Sequence, residues 1–142
     1  MFLGEFQHSL DAKGRMILPA KFREQLATGA IITKGRGRCL AVYTAEEFED
    51  VASQVREVSK RGPRERDAAR VFFSGANDVQ LDRQGRVAIP QTLRSYAGLE
   101  RDVVVVGVYS RIEIWDTQAW RELDRAGDAA LAESDDLPDF GI

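Results

Sequence analysis

Two short segments, Arg15 to Leu18 and Arg86 to Ile89, are apolar, rich in branched residues and open on an arginine. Both read as strands of period two. A proline ends each, Pro19 and Pro90, at a position that suits the first turn of a helix. Helices are therefore predicted over Ala20–Leu26 and Gln91–Ala97, with Gly98 as a C-terminal stop. Strands are predicted over Ile31–Lys34 and Cys39–Tyr43, and over Val103–Val108 and Arg111–Trp115. Thr44-Ala45-Glu46-Glu47 is a capping box for a helix reaching about Ser59. Asp116 caps a counterpart expected to run to about Arg125. Arg61-Gly62-Pro63 breaks the chain, and a further helix from Arg64 to about Val71 follows.

The pattern repeats at an offset of 71. Leu10-Asp11-Ala12-Lys13-Gly14-Arg15-Met16-Ile17-Leu18-Pro19 matches Leu81-Asp82-Arg83-Gln84-Gly85-Arg86-Val87-Ala88-Ile89-Pro90. Phe2-x-Gly4 matches Phe73-x-Gly75 upstream, and Phe22-Arg23 matches Leu93-Arg94 downstream. After one inserted residue, Cys39 to Tyr43 aligns with Arg111 to Trp115, and Phe48 with Trp120. Two copies make a tandem duplication and not a solenoid. A unit of this size, about 65 residues, buries only about 60% of its unfolded surface alone. Pairing the halves through a pseudo-twofold completes one β core. The division expected is a first module over 1–62, a linker helix over 63–71, a second module over 72–126 and an acidic tail over 127–142.

Charge sharpens this picture. The 142-residue chain is −3 overall, which argues against a nucleic-acid partner until its distribution is considered. Residues 116–142 hold eight acidic side chains against two basic, so the rest of the chain is net basic. No apolar run approaches the roughly 20 residues of a membrane span. The start lacks the basic and apolar regions of a signal peptide, and the lone Cys39 suits a reducing cytoplasm and a buried, inert thiol.

Candidate chemistry concentrates in Asp-x-x-Gly-Arg, present in both copies. Asp11 and Asp82 can accept local backbone N–H groups and start a turn. Gly14 and Gly85 can take the positive φ that other residues resist. Arg15 and Arg86 open the next strand, each with an aspartate four residues behind to orient its guanidinium. A bidentate contact to guanine O6 and N7 needs such rigid presentation. Lys13 and Arg83 lie in the same turns and suit phosphates, as do Lys21 and Arg23 just beyond. A surface Asp–Arg pair beside a turn is also a common structural device worth little.

The residues then point to a family. Met1 to Glu24, Phe72-Phe73-Ser74-Gly75-Ala76, Leu81 to Arg86, Arg94-x-Tyr96-Ala97-x-Leu99 and Ile112 to Trp115 resemble the MraZ family over nearly the whole chain. The resemblance implies an α+β fold of two tandem AbrB-like (SpoVT-AbrB) swapped-hairpin modules with flanking helices. It implies ring-shaped homo-oligomers on the nucleoid, binding short G-rich direct repeats in double-stranded DNA. It implies a regulator, usually a repressor, of the division and cell-wall gene cluster that includes its own gene. The family's Asp-x-x-x-Arg motif falls on Asp11 and Arg15 and on Asp82 and Arg86, and its first-copy lysine on Lys13. Arg83-Gln84 departs from the Lys-Gln common in second copies, and the bend at Arg61-Gly62-Pro63 is short for the family.

Other chemistry is absent from the sequence pattern. His8 lacks partners for catalysis or a metal, so it reads as a strand residue. Ser9, Ser74, Ser95 and Ser110 match no nucleophile motif, and Gly35-Arg36-Gly37 is no phosphate loop. Arg36 and Arg38 read as a solvated basic turn, and Phe48, Trp115 and Trp120 as packing residues. No cofactor, metal, small-molecule substrate or enzymatic role is expected. The alternatives are an antitoxin-like protein-binding module, disfavoured because the duplication fills the place of a long toxin-wrapping tail, and a non-specific nucleoid protein.

Overall fold

Four antiparallel ladders join the copies, and two of them straddle a symmetry axis. Strands β2 (Arg15–Ile17) and β6 (Arg86–Ala88) pair with Arg15 opposite Ala88, Met16 opposite Val87 and Ile17 opposite Arg86. Strands β4 (Leu40–Thr44) and β8 (Ile112–Asp116) pair with Leu40 opposite Ile114, Ala41 opposite Glu113 and Val42 opposite Ile112. Exchanging the two copies maps each of these two ladders onto itself. A pseudo-twofold therefore passes between Met16 and Val87 and between Ala41 and Glu113. The computed structural model that carries these ladders describes residues 1–133 and 135–142.

The remaining elements are β1 (Phe2–Ser9), α1 (Ala20–Leu26), β3 (Ala30–Lys34), α2 (Ala45–Ser59), α3 (Pro63–Ser74), β5 (Asn77–Asp78), α4 (Gln91–Ala97), β7 (Asp102–Tyr109) and α5 (Thr117–Glu133). The main sheet runs β1-β7-β8-β4-β3-β5, all antiparallel, and β2–β6 is a separate two-stranded ribbon. Side chains alternate across each strand. Leu40, Val42, Ile112 and Ile114 therefore face one way, into a core shared with Met16, Leu18, Val87 and Ile89 of the ribbon and Phe22 and Leu93 of the short helices. Ala41, Tyr43 and Trp115 face the other way, under α2 and α5. Trp115 packs with Trp120 of α5, and Tyr43 with Phe48 of α2. The ribbon and longer helices thus cover opposite faces of one sheet.

The caps act as the sequence requires. The Glu47 N–H donates to Thr44 Oγ1 at 3.1 Å, and the Ala119 N–H to Asp116 Oδ2 at 3.0 Å. Gly98 ends α4 in the left-handed region at φ 62°.

Symmetry breaks at two places. The repeat aligns Phe73-x-Gly75 with Phe2-x-Gly4 of the first strand, yet α3 runs past Val71 to Ser74 and leaves only Asn77–Asp78 as a strand. Local packing wins there. Phe72 stacks on Phe48 at 6.0 Å, Phe73 meets the same ring edge-on, and the buried Thr33 hydroxyl donates to Phe72 O at 2.6 Å. The helix expected to stop near Arg125 continues to Glu133. Its alanines at 126, 129, 130 and 132 sustain it past Gly127, which costs about 1 kcal/mol in a helix interior. Residues 127–133 of the segment expected as a tail are therefore helical. The reading of an acidic, poorly ordered end began at Ser134, which lies outside the described residues; 135–142 hold no helix or strand.

Truncating Met16, 1% exposed beneath the ribbon, is expected to cost about 2–5 kcal/mol in urea unfolding as Met16→Ala. Gly107→Ala is expected to lower the melting temperature by detaching β1, because a Cβ there collides with the Phe2 and Leu3 backbone. An unchanged melting temperature would show that β1 can shift to accept it.

Candidate nucleic-acid interface

Each Asp-x-x-Gly-Arg segment is a tight turn closed from both sides. The Asp11 N–H donates to Arg15 O at 2.8 Å and the Gly14 N–H to Asp11 O at 3.0 Å. Asp82, Gly85 and Arg86 repeat both bonds, each at 3.0 Å. Asp11 Oδ1 accepts the backbone N–H groups of Lys13 and Arg15, both at 2.9 Å, while Oδ2 accepts Arg15 Nε at 2.9 Å. Asp82 Oδ1 accepts those of Gln84 and Arg86 at 2.9 Å, and Oδ2 accepts Arg86 Nε at 2.7 Å. One carboxylate thus shapes the turn with one oxygen and clamps the arginine with the other. The Arg15 and Arg86 backbone bonds come first in holding these carboxyls below the ordinary 3.8, ahead of the guanidinium contacts.

The clamp uses Nε and leaves the outer fork available. Among the described residues, no hydrogen bond engages the Nη atoms of Arg15 or Arg86. Their side chains are 30% and 26% exposed. Directly opposed residues of an antiparallel pair share a face, so Arg15, Ala88, Ile17 and Arg86 all point outward while Met16 and Val87 point into the core. The two arginines are diagonal neighbours, roughly 7–8 Å apart at the backbone.

The turn glycines are required by their backbone conformation, and an arginine packs close on each. Gly14 and Gly85 have φ 75° and 77°. A Cβ on Gly14 would also come within 2.6 Å of the Arg94 guanidinium, and one on Gly85 within 2.6 Å of that of Arg23. Arg23 Nη1 donates to Leu18 O and Arg94 Nε to Ile89 O, both at 3.0 Å. Each arginine comes from one copy and braces the other copy's turn. Leu18 N–H to Gly85 O and Ile89 N–H to Gly14 O extend the ribbon on either side.

The structure thus brings together Asp11, Gly14, Arg15, Asp82, Gly85 and Arg86, with Lys13 and Arg83 exposed in the turns. It places Lys21 elsewhere, its ammonium over the Phe6 ring at 5.2 Å and that of Phe22 at 5.7 Å. Arg23 is half-buried, its Nη1 committed to Leu18 O. Sequence reasoning missed the bracing role of Arg94, although Phe22-Arg23 and Leu93-Arg94 are matched in the repeat. It also missed Glu113 beside the pseudo-twofold, whose carboxylate accepts Arg111 Nε and Nη2 and Trp115 Nε1 at 2.9–3.0 Å.

Other reactive groups are housed as ordinary structure. Cys39 is fully buried, and burial, then the Glu113 charge, pushes its thiol up to about 12. His8 pairs with Val103 in the sheet, and partial burial lowers its pKa. Among the described residues, no three His, Cys, Asp or Glu side chains are placed to hold a metal, and no helix is long and apolar enough to cross a membrane.

Two hairpin units whose strands pair across a pseudo-twofold define a duplicated swapped-hairpin protein folded from a single chain. The model of the family described as "MraZ protein, putative antitoxin-like" matches residues 1–71 and again 72–136. The chain belongs to the MraZ family. Proteins named Transcriptional regulator MraZ are 50% identical in Paenarthrobacter aurescens over 99% of both chains, and 49% in Micrococcus luteus over 96% of this chain and 95% of that one. The protein of the same name in Salinispora arenicola is 51% identical over 96% of this chain and 91% of its own.

The clamps carry a pH signature. A carboxyl whose folded pKa is depressed contributes above its ordinary pKa and loses that contribution as pH falls through the folded value. The Arg15 and Arg86 Nε–H resonances are therefore expected to stay slow to exchange at pH 4 and to broaden only below the ordinary 3.8. Asp11→Asn should release the Arg15 signal at every pH and leave Arg86 unchanged. Loss of both signals together would mean that the turns are not independent.

Proposed function

We propose that this chain is a sequence-specific DNA-binding transcriptional regulator whose reading head is the β2–β6 ribbon. The observation that carries it is the pair of aspartate-clamped arginines on the ribbon's outer face, with their Nη groups uncommitted. A two-stranded ribbon fits the major groove, about 12 Å wide, and there an arginine fork matches guanine O6 and N7. Arg15 and Arg86 read bases. Lys13 and Arg83 hold the flanking phosphates and fix the register. Asp11, Asp82, Gly14 and Gly85 shape the turns, while Arg23 and Arg94 stiffen them from behind. Lys21 is left as a peripheral phosphate contact.

The relatives named as transcriptional regulators and the family resemblance extend this reading. The protein acts in the cytoplasm on the nucleoid, as a repressor of the division and cell-wall cluster that contains its own gene. Its operators are short G-rich direct repeats. One ribbon makes few contacts, so a single box binds weakly. A ring-shaped homo-oligomer presenting several ribbons engages repeated boxes at high effective concentration. The modules 1–62 and 72–126 supply one half of each ribbon, and no step of this function is enzymatic.

Fluorescence anisotropy with DNA from upstream of the protein's own gene, against a scrambled duplex at two salt concentrations, tests the reading. Preference for the native duplex that persists at the higher salt is expected. Arg15→Ala should abolish that preference without changing the protein's mass in solution. Lys13→Ala should weaken both duplexes alike and reduce the salt slope by about one. Equal, salt-sensitive binding to both duplexes by the wild type would contradict the reading.

A further inference from the structure

The outer face of the β2–β6 ribbon is not all arginine. Arg86 stands directly opposite Ile17, and Arg15 directly opposite Ala88. Leu81 bridges Val87, which sets Asp82 on the far side of Arg86. Each row therefore runs from an aspartate through its clamped arginine to an aliphatic residue. One row is Asp82, Arg86 and Ile17; the other is Asp11, Arg15 and Ala88. The aspartate holds Nε from one side, and the aliphatic residue flanks the arginine on the other.

Ile17 is 47% exposed, although Met16 and Leu18 beside it in the chain are fully buried. Among the described residues it is the one isoleucine of a helix or strand left exposed. Single apolar side chains on a surface are ordinary. This one lies between two guanidinium forks whose Nη atoms are uncommitted, on the face proposed to enter the groove. The fold does not demand it there. Position 88 is its repeat equivalent, and the ribbon pairs in the same way around Ala88.

The major groove offers such a side chain one partner. The thymine C5 methyl is the apolar group that base edges present there, beside an array of donors and acceptors. An aliphatic side chain set against those polar groups would strip them of water and return no hydrogen bond. Cβ atoms of directly opposed residues lie about 4.5–5.5 Å apart. Bases step by about 3.4 Å along a strand. With Arg86 on a guanine, Ile17 therefore reaches the neighbouring base pair.

We propose that Ile17 is a specificity-determining residue that packs on the C5 methyl of a thymine beside the guanine read by Arg86. The proposal rests on the ribbon as the DNA-reading head and assigns that site a further base. It also gives the head a direction. Ala88 ends at Cβ and offers the base beside the Arg15 guanine far less contact. The turns differ as well, with Ala12-Lys13 in one and Arg83-Gln84 in the other. Two unlike halves read unlike bases, so each box is non-palindromic.

Replacing thymine by deoxyuridine removes the methyl and leaves every hydrogen-bonding group and phosphate in place. The test is anisotropy titration of the full-length chain on the native upstream duplex, with uracil at one thymine position of every box at a time. One position, next to a guanine, is expected to weaken the wild type at least fourfold, as loss of one buried methyl contact implies. Ile17→Ala should bind the thymine and uracil duplexes alike, still prefer both to the scrambled duplex, and keep the wild-type thermal melt by circular dichroism. Ile17→Val should retain sensitivity to the methyl. Ile17→Gln replaces Ile17→Ala should the latter unfold. A wild type that does not distinguish native from scrambled DNA would overturn the reading head and this proposal with it. A wild type that prefers native DNA yet tolerates uracil at every position would overturn the proposal alone. So would an Ile17→Ala variant as sensitive to uracil as the wild type.

Discussion

The β2–β6 pairing is the constraint on which the rest depends. Each strand has three residues, too few to stand alone, and the partner comes from the other copy. That exchange places Met16 against Val87 over the sheet and closes the core between ribbon and strands. It fixes the register in which Arg15 and Arg86 share an outward face. A slip of one residue would set Arg15 opposite Val87 and Met16 opposite Arg86, so that one arginine turns into the apolar core and one core residue into solvent. Folding and presentation of the arginines are therefore one requirement met by one ladder.

The turns convert that ladder into a rigid surface. Exposed Asp–Arg pairs contribute little to stability. Their value here is geometric: the carboxylate fixes Nε and leaves the outer fork free. Arg23 and Arg94 complete the support by crossing the pseudo-twofold to pack against the opposing glycine. A substitution at either glycine therefore strikes its own turn and the arginine bracing it.

Much of this was legible in the sequence because it is encoded locally. The proline stops, the Thr44 and Asp116 caps and the Asp-x-x-Gly-Arg turns each act within about five residues, and all stand in the fold as read. The duplication supplied the long-range inference, since equivalent short strands need one another to complete a sheet. The departures arise where non-local packing differs between the copies. Phe72 and Phe73 follow a helix rather than the strand of their counterparts because Phe48 and Thr33 hold them there. The bracing role of Arg94 depends on approach across the pseudo-twofold, which matching alone does not locate. Helix α5 runs past Arg125 because the alanines around Gly127 outweigh the cost of that glycine.

The central claim is that the clamped arginines read guanine edges rather than merely attract phosphate. Replacing guanines of the bound duplex with 7-deazaguanine tests it directly, because N7 is lost while the phosphate charge is unchanged. Anisotropy titration of the wild type is predicted to show binding weakened on the order of tenfold, since a full bidentate arginine–guanine pair carries about 1–3 kcal/mol of discrimination. The Arg15→Ala, Arg86→Ala double variant is predicted to bind the two duplexes alike. Equal affinity of the wild type for both duplexes would contradict the account and reduce the ribbon to an electrostatic patch.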